Sequence, residues 1–436
     1  MADKINIFWF RRDLRLHDNV GLHRALTDRH PVMPIFIFDT EILENLPKND
    51  ARVTFIFETL QNMRRTLQEK ANSSLAMYHG EPGDLFSKLI AGHNVQTVFT
   101  NHDYEPYAKR RDDTIKKLLE KKGVAFRTYK DHVIFEKDEV VKNDGHPYTV
   151  YTPYKNKWKE IFDRTMHLTD HEVVPFMGNF VKNNRLPNLS LSDIGFKNSA
   201  ITVPKHDVSS QLIKKYEDTR DYPAKEKGTS RLGPHLRFGT VSIRRMVEKA
   251  IMEKAEVFWN ELIWREFFMQ ILWHYPNTVG NAFKPKYDRI EWRNDENEFE
   301  RWKKGETGFA LVDAGMRQLN ETGYMHNRVR MLVASFLCKH LLVDWRWGEA
   351  YFAQKLLDYE MASNVGNWQW AAGSGVDAAP YFRIFNPMTQ VDKFDKERTY
   401  IKEWIPEYGA DSYPEKMVDH KMARERCLKA FKEALG

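Results

Sequence analysis

Two short stretches of the sequence set chemically capable side chains on single helical faces. In "NELIWREF", Asn260 to Phe267, residues Glu261, Trp264 and Arg265 fall at i, i+3 and i+4 and share one face. A carboxylate beside an indole on an otherwise apolar helix is costly unless something pairs with it. Taken alone, the stretch reads as a local Glu261–Arg265 ion pair on a solvated face. In "YMHNRVRM", Tyr324 to Met331, helical spacing projects Asn327, Arg330 and Met331 together. An amide, a cation and a soft thioether do not make a core face. A third stretch, "LLDYEMASNVGNWQWAAGSGVDAAPYFRIFNP", Leu356 to Pro387, is dense in small and polar residues around Trp368 and Trp370. Small residues let a large planar ligand come close to the backbone.

Something must hold these three stretches in place, and 436 residues allow two domains. Lys and Arg number 67 against 61 Asp and Glu, a net charge of +6 that is compatible with a polyanionic partner and does not demand one. The two cysteines, Cys338 and Cys427, stand in unrelated contexts without metal-ligand spacing, which predicts a reducing, intracellular (cytoplasmic) setting and no metal site. The apolar run in "MADKINIFWF" is too short to span a membrane. Of 12 tryptophans, only Trp9 and Trp158 precede residue 259.

The first 130 residues alternate short apolar runs ("INIFWF", "VMPIFIFD", "LAMYHG", "VQTVFT", "VAFRTY") with stretches of helical period such as "RDDTIKKLLEKKG". This pattern predicts an α/β fold with a doubly wound, five-stranded parallel sheet over residues 1–131. No G-x-G-x-x-G follows the first strand, which runs instead into "RRDLRLHDN", so the dinucleotide fingerprint is missing. Residues 132–205 lose periodicity and carry Pro147, Pro153, Pro175, Pro187 and Pro204, which reads as an interdomain linker with one helix near "KNKWKEIF". Residues 206–436 show helical spacing throughout and are expected to form an all-helical domain.

The motifs "FWFRRDLRLHDN", "TSRLGPHLRFG", "NELIWREF", "GFALVDAGMRQL", "MHNRVRM" and "NWQWAAGSGVDAAPYFRIFNP", in this order, resemble the photolyase and cryptochrome family, most closely the class I cyclobutane pyrimidine dimer photolyases. The resemblance covers nearly the whole chain. It implies that the helical domain binds flavin adenine dinucleotide (FAD), which would explain the missing glycine fingerprint. By motif match, Tyr216 and the loop Thr229, Ser230, Arg231, Leu232 and Gly233 would contact the cofactor. Gly233 replaces a serine usual in the family. Arg330 and Asp358 match an ion pair beside the isoalloxazine, with Arg265, Glu360 and Asn364 nearby. Asn364 matches the residue facing flavin N5, where plant cryptochromes place an aspartate able to deliver a proton, and an amide is not an acid in this range.

The same resemblance implies that Glu261, Asn327, Met331, Trp264 and Trp370 form the catalytic pocket for a flipped-out pyrimidine dimer, a mode of access used by photolyases as a group. A (6-4) photolyase is expected to carry histidines at positions 327 and 331, and His326 is one residue out of register. Trp292, Trp345 and Trp368 match the electron-transfer relay that photoreduces the flavin. Arg220, Arg328, Arg383 and Gln390 match residues that grip damaged DNA. A second, antenna chromophore of unspecified identity is expected on the sheet domain, where folate-binding members have Glu in place of Ala108. The implied protein is a monomeric, light-driven DNA repair enzyme with no membrane association. Its alternatives are a cryptochrome-type blue-light photoreceptor and, without the flavin motifs, a generic nucleic-acid-binding module.

Overall fold

The computed structural model describes residues 3–436, which divide into two compact units. The first contains five parallel strands, β1 (Lys4–Phe10), β2 (Val32–Asp39), β3 (Ala76–Gly80), β4 (Asn94–Asn101) and β5 (Ala125–Tyr129), in the order β3-β2-β1-β4-β5. Alternation along the central strands sorts their side chains onto two faces. Phe8, Phe10, Phe36 and Phe38 enter one core, while Ile7, Trp9, Ile35 and Ile37 enter the other. Both faces are covered, so β2 is buried along its whole length and reads as a continuous apolar run rather than an alternating one.

Strand order reverses between β1 and β4, where open α/β sheets commonly bind ligands beyond the carboxyl ends of the strands. Here the chain fills that crevice with its own side chains. The Asn101 amide donates to Asp13 Oδ2 at 2.6 Å and to Asn19 Oδ1 at 2.9 Å, and its oxygen accepts from the Gly21 N–H at 2.9 Å. A side chain at position 21 would meet Asn101 Oδ1 at 2.7 Å, so glycine serves there to admit the asparagine rather than a phosphate. Next to it, Asp131 accepts from Arg15 at 2.7 Å and Arg244 at 3.0 Å, and Arg244 also reaches Asp18 at 2.9 Å. All four groups are buried.

The predicted linker is divided between the units. Ile161–Pro204 packs in the first and Lys137–Glu160 in the second; the first also takes in Leu232–Lys249. Thus the partition 1–131, 132–205, 206–436 expected from composition is not how the chain packs. The proline-rich stretch lacks periodicity because its backbone groups are met singly. Buried Arg64 donates to the Leu186 carbonyl at 2.6 Å, and Met77 N–H donates to that of Pro187 at 2.9 Å.

The second unit is helical. Its core gathers Leu332, Val333, Phe336, Leu337, Trp302, Trp345 and Trp368. The helix Glu256–His274 is apolar on most of its circumference and sits among others. The helix Asn327–Ser335 continues into a π-helical turn at Phe336–Leu341, a local widening often found beside functional sites.

Candidate active site

Three helices of the second unit bring the sequence-predicted residues together. Glu256–His274 contributes Glu261, Trp264, Arg265 and Phe268, at i, i+3, i+4 and i+7. The first turns of Asn327–Ser335 contribute Asn327 and Met331, and Met361–Ala372 contributes Ser363, Asn367 and Trp370. With Arg220 these groups line an outer cavity of about 350 Å³. The helices approach closely because residue 366 is glycine, since a Cβ there would meet the Phe268 ring at 2.3 Å. Asn327, Met331, Ser363, Asn367 and Trp370 also line an inner cavity of about 100 Å³, whose further wall carries Arg330, Asp358, Glu360, Asn364 and Trp368.

The charged residues of the outer cavity are held by long-range partners. Glu261 is paired with Arg220 instead of making the within-helix bond to Arg265 that spacing alone allows. Arg265 reaches Glu360 at 3.3 Å. The Arg220 guanidinium loses stability through burial, but Glu261 outweighs that loss and its pKa lies above the ordinary value. Arg220 Nε also lies 3.9 Å from Asp221 Oδ1, which accepts from Arg328 Nη2 at 2.7 Å. Arg328 covers the Phe394 ring at 4.3 Å. Trp264 is backed by Tyr151 from a distant part of the sequence, with ring centroids 3.5 Å apart and planes 8° from parallel. The Tyr151 hydroxyl donates to the Asn260 carbonyl at 2.8 Å.

In the inner cavity Arg330 makes a two-pronged ion pair with Asp358, at 3.1 and 2.9 Å, and its Nε donates to the Met325 carbonyl at 2.7 Å. Asn364 is fixed by Glu349: its amide nitrogen donates to the Glu349 carbonyl at 3.1 Å and to the Glu349 carboxylate at 2.9 Å. A backbone carbonyl only accepts, so the NH₂ group must point there, and the amide oxygen is left for the cavity. Burial raises the pKa of the Glu349 carboxyl. His326 is the N-cap of the Asn327–Ser335 helix and accepts from the Arg328 N–H at 3.2 Å, which puts its ring outside the Asn327–Met331 face. Burial and then Arg231 and Arg330 push its pKa down to about 4.

Other predicted residues, apart from Trp368, lie outside both cavity walls. Thr229 Oγ1 lies 3.3 Å from the Tyr324 hydroxyl, and Arg231 lies over the Tyr324 ring at 3.9 Å with a left-handed backbone (φ 53°). Ser230 is buried, and Tyr216 packs edge-on against Phe258. Leu232 and Gly233 fall in the first unit, where Gly233 begins a short helix. Arg383 is exposed and Gln390 half-buried. Trp345 is buried and Trp292 half-buried against Phe431. The Trp368 ring contacts Trp302 at 6.2 Å and Phe352 at 5.0 Å. Sequence reasoning did not find Tyr151, Asp221 or Glu349 as parts of the site. Only Asp221, adjacent to Arg220, carried a local signal.

Known proteins share both units. Residues 6–174 match the DNA photolyase family model and residues 258–410 match the FAD binding domain of DNA photolyase. A deoxyribodipyrimidine photo-lyase of Halobacterium salinarum is 37% identical over 99% of this chain and 100% of its own length. The chain belongs to the DNA photolyase and cryptochrome family. A class III photolyase of Agrobacterium tumefaciens superimposes with a TM-score of 0.87 at 32% identity, covering 100% of this chain and 98% of that one. An archaeal photolyase of Sulfolobus tokodaii, described with two FAD molecules, gives 0.83 at 34% identity over 99% and 100%. The walls of the inner cavity fit a flavin ring. A free amide oxygen, a fixed guanidinium–carboxylate pair and the small side chains of Ala334, Ser363 and Ala371 surround a space suited to a flat, hydrogen-bonding ring.

Proposed function

We propose that this photolyase-family chain splits cyclobutane pyrimidine dimers in DNA under blue light, with FAD in the inner cavity and the flipped-out dimer in the outer one. The observation that carries the reading is the shared wall. Asn327, Met331 and Trp370 belong to both cavities, so the cofactor and the lesion would be close neighbours. Reduced FAD held in the inner cavity by Arg330, Asp358 and Asn364 would supply the light-driven, reversible one-electron chemistry that opens the cyclobutane ring. The chain's own residues bind, orient and stabilise. Trp264 and Trp370 are apolar walls for the unstacked rings, and Glu261 with Asn327 meets the base edges. Met331 fills the space between them. Glu261 exchanges Arg220 for the base N–H groups as the lesion enters, placing a carboxyl group where charge develops.

On the cofactor side, Arg330, Asp358, Glu360, Asn364 and Arg265 hold the ring system. Tyr216, Thr229, Ser230 and Arg231 serve the pyrophosphate end, with the Thr229 hydroxyl and Arg231 guanidinium as the donors suited to it. Trp368, Trp345 and Trp292 relay electrons to oxidised flavin. Arg220, Arg328, Arg383 and Gln390 contact the DNA backbone. A photoreceptor role is disfavoured by Asn364, whose amide is fixed by Glu349 and has no proton to deliver at this position. The deciding test is Glu261→Ala. Repair yield per absorbed photon should fall more than dimer affinity does, and an unchanged yield would remove Glu261 from the mechanism.

The antenna chromophore is assigned to a cavity of about 140 Å³ in the first unit, lined among others by Trp9, Asp39, Tyr107, Ala108 and Arg111. The buried Trp9 N–H has no partner there, and Tyr107 donates to Asp39 at 2.5 Å. Ala108 supplies a methyl group where a folate-binding site needs a carboxylate. The chain is taken to act as an intracellular monomer; its cysteines are free and buried, as a reducing compartment allows. Among the described residues no helix is long and apolar enough to cross a membrane.

A further inference from the structure

Arg220 in the wall of the outer cavity, and Arg328 linked to it through Asp221, are already occupied by carboxylates. Four charged side chains alternate in sign: Glu261, Arg220, Asp221, Arg328. A single oxygen, Asp221 Oδ1, faces both guanidinium groups, 2.7 Å from Arg328 Nη2 and 3.9 Å from Arg220 Nε. This is the position a phosphate oxygen takes between two arginines. Asp221 is also the most exposed of the four, with 39% of its side chain accessible against 34% for Glu261, 22% for Arg328 and 19% for Arg220. An exposed carboxylate beside a polyanion-binding cleft opposes binding, and it cancels one of the two positive charges the cleft offers.

We propose that Asp221 is a specificity-determining residue that stands in for a DNA phosphate on Arg220 and Arg328 and holds down affinity for undamaged strands. The inference rests on the reading of the outer cavity as a lesion site. An intact strand can offer only phosphates, and each must displace a carboxylate already in place, so the net gain is small. A dimer offers more. Its bases take over Glu261, which releases Arg220, and its rings gain the Trp264 and Trp370 walls. A lesion-bearing strand meets the freed Arg220 while Asp221 stays on Arg328, so the cost of displacing Asp221 falls mainly on the undamaged strand, which has no other way to a free guanidinium. Discrimination of this kind is built from repulsion as well as attraction.

The test uses the FAD-loaded full chain in the dark, with fluorescently labelled oligothymidine that contains either one dimer or none, titrated over a series of salt concentrations. Asp221→Asn keeps the shape and removes the charge. Affinity for the undamaged strand should rise about fivefold at low salt, and the slope of log K against log salt should steepen by about 0.7, one single-strand phosphate contact. Dimer affinity should rise less, so the ratio falls. In the double variant with Arg328→Ala most of the gain should vanish. Weaker or unchanged binding of the undamaged strand by Asp221→Asn would overturn the proposal and leave Asp221 as a scaffold for the arginines. If the unmodified chain itself showed no preference for the dimer, the lesion-site reading would fail instead. A flavin spectrum equal to that of the unmodified chain verifies that the variant is folded.

Discussion

Each unit holds an Arg–Asp pair, buried in the sheet unit and half-buried in the helical one, and the two pairs differ in what surrounds them. In the sheet unit, Asp131 is shared by Arg15 and Arg244, and Arg244 is shared with Asp18, so each charge is met by protein. In the helical unit, Arg330 and Asp358 meet each other and then face a cavity, as does the oxygen of Asn364. A buried polar group fully satisfied by the chain belongs to the architecture, whereas one satisfied on a single side awaits a ligand. By this criterion the sheet unit has closed the crevice at its strand reversal, and the helical unit has kept its site open.

The comparison is broken most directly by neutralising one carboxylate in each unit. Asp131→Asn leaves two buried arginines short of a counter-charge and should cost about 3–5 kcal/mol of stability, read by urea unfolding. Asp358→Asn should leave unfolding of the apoprotein nearly unchanged while flavin is lost on gel filtration. Equal stability losses would erase the distinction.

Acid should separate the units next. Burial, reinforced by neighbouring cations, pushes His326 down to about 4 and His340 down to about 3, from 6.5. A histidine with a depressed folded pKa takes its proton more readily when unfolded, so its contribution is present above pH 6.5 and falls as pH drops toward the folded value. By this linkage His326 removes up to about 3 kcal/mol and His340 up to about 5 kcal/mol. Asp18 and Asp131 are lowered from 3.8 because their arginines outweigh burial, so their contribution persists until pH falls below that value. Every tryptophan but Trp9 lies in the helical unit. His17 and His171 of the sheet unit are lowered by burial too, but less far, so tryptophan fluorescence should report unfolding between pH 6.5 and 4 before circular dichroism shows loss of the sheet, and coincident transitions would contradict this.

The smallest effect tests how the open site is supported from behind. Tyr151→Leu removes the ring stacked on Trp264 and should weaken dimer binding by about 1 kcal/mol, near fivefold, while Tyr151→Phe keeps the stack and stays near the unmodified affinity. Binding competition between dimer-containing strands reads both. Equal losses would shift the role to the hydroxyl bond to Asn260.

Much of this was legible in the sequence. The five apolar runs became the five strands, with burial on both faces leaving a continuous apolar signal in the central β1, β2 and β4, and the stretches of helical spacing after residue 206 became helices. Glu261, Trp264, Arg265, Asn327, Arg330 and Met331 were legible through motifs that each lie within one helix face, whereas Arg220, Asp358, Glu360 and Asn364 came from the family resemblance, and Phe268, Ser363 and Asn367 were not singled out. What stayed hidden depends on contacts between distant segments. Tyr151 reaches Trp264 across 113 positions, and nothing in "TVYTPYK" marks it. The predicted linker looked featureless because Arg64 and single backbone bonds order it without periodicity. Glu261 and Arg265 share a face, yet the partner Glu261 takes is Arg220, from another segment.

The central claim is that a flavin and a pyrimidine dimer are held side by side in the helical unit. Its most direct test illuminates the reduced, FAD-loaded chain with dimer-containing oligothymidine and follows thymine absorbance against a dark control. The account predicts recovery in blue light only, together with flavin absorption in the purified protein. Flavin-loaded protein that restores no thymine absorbance under illumination would contradict it.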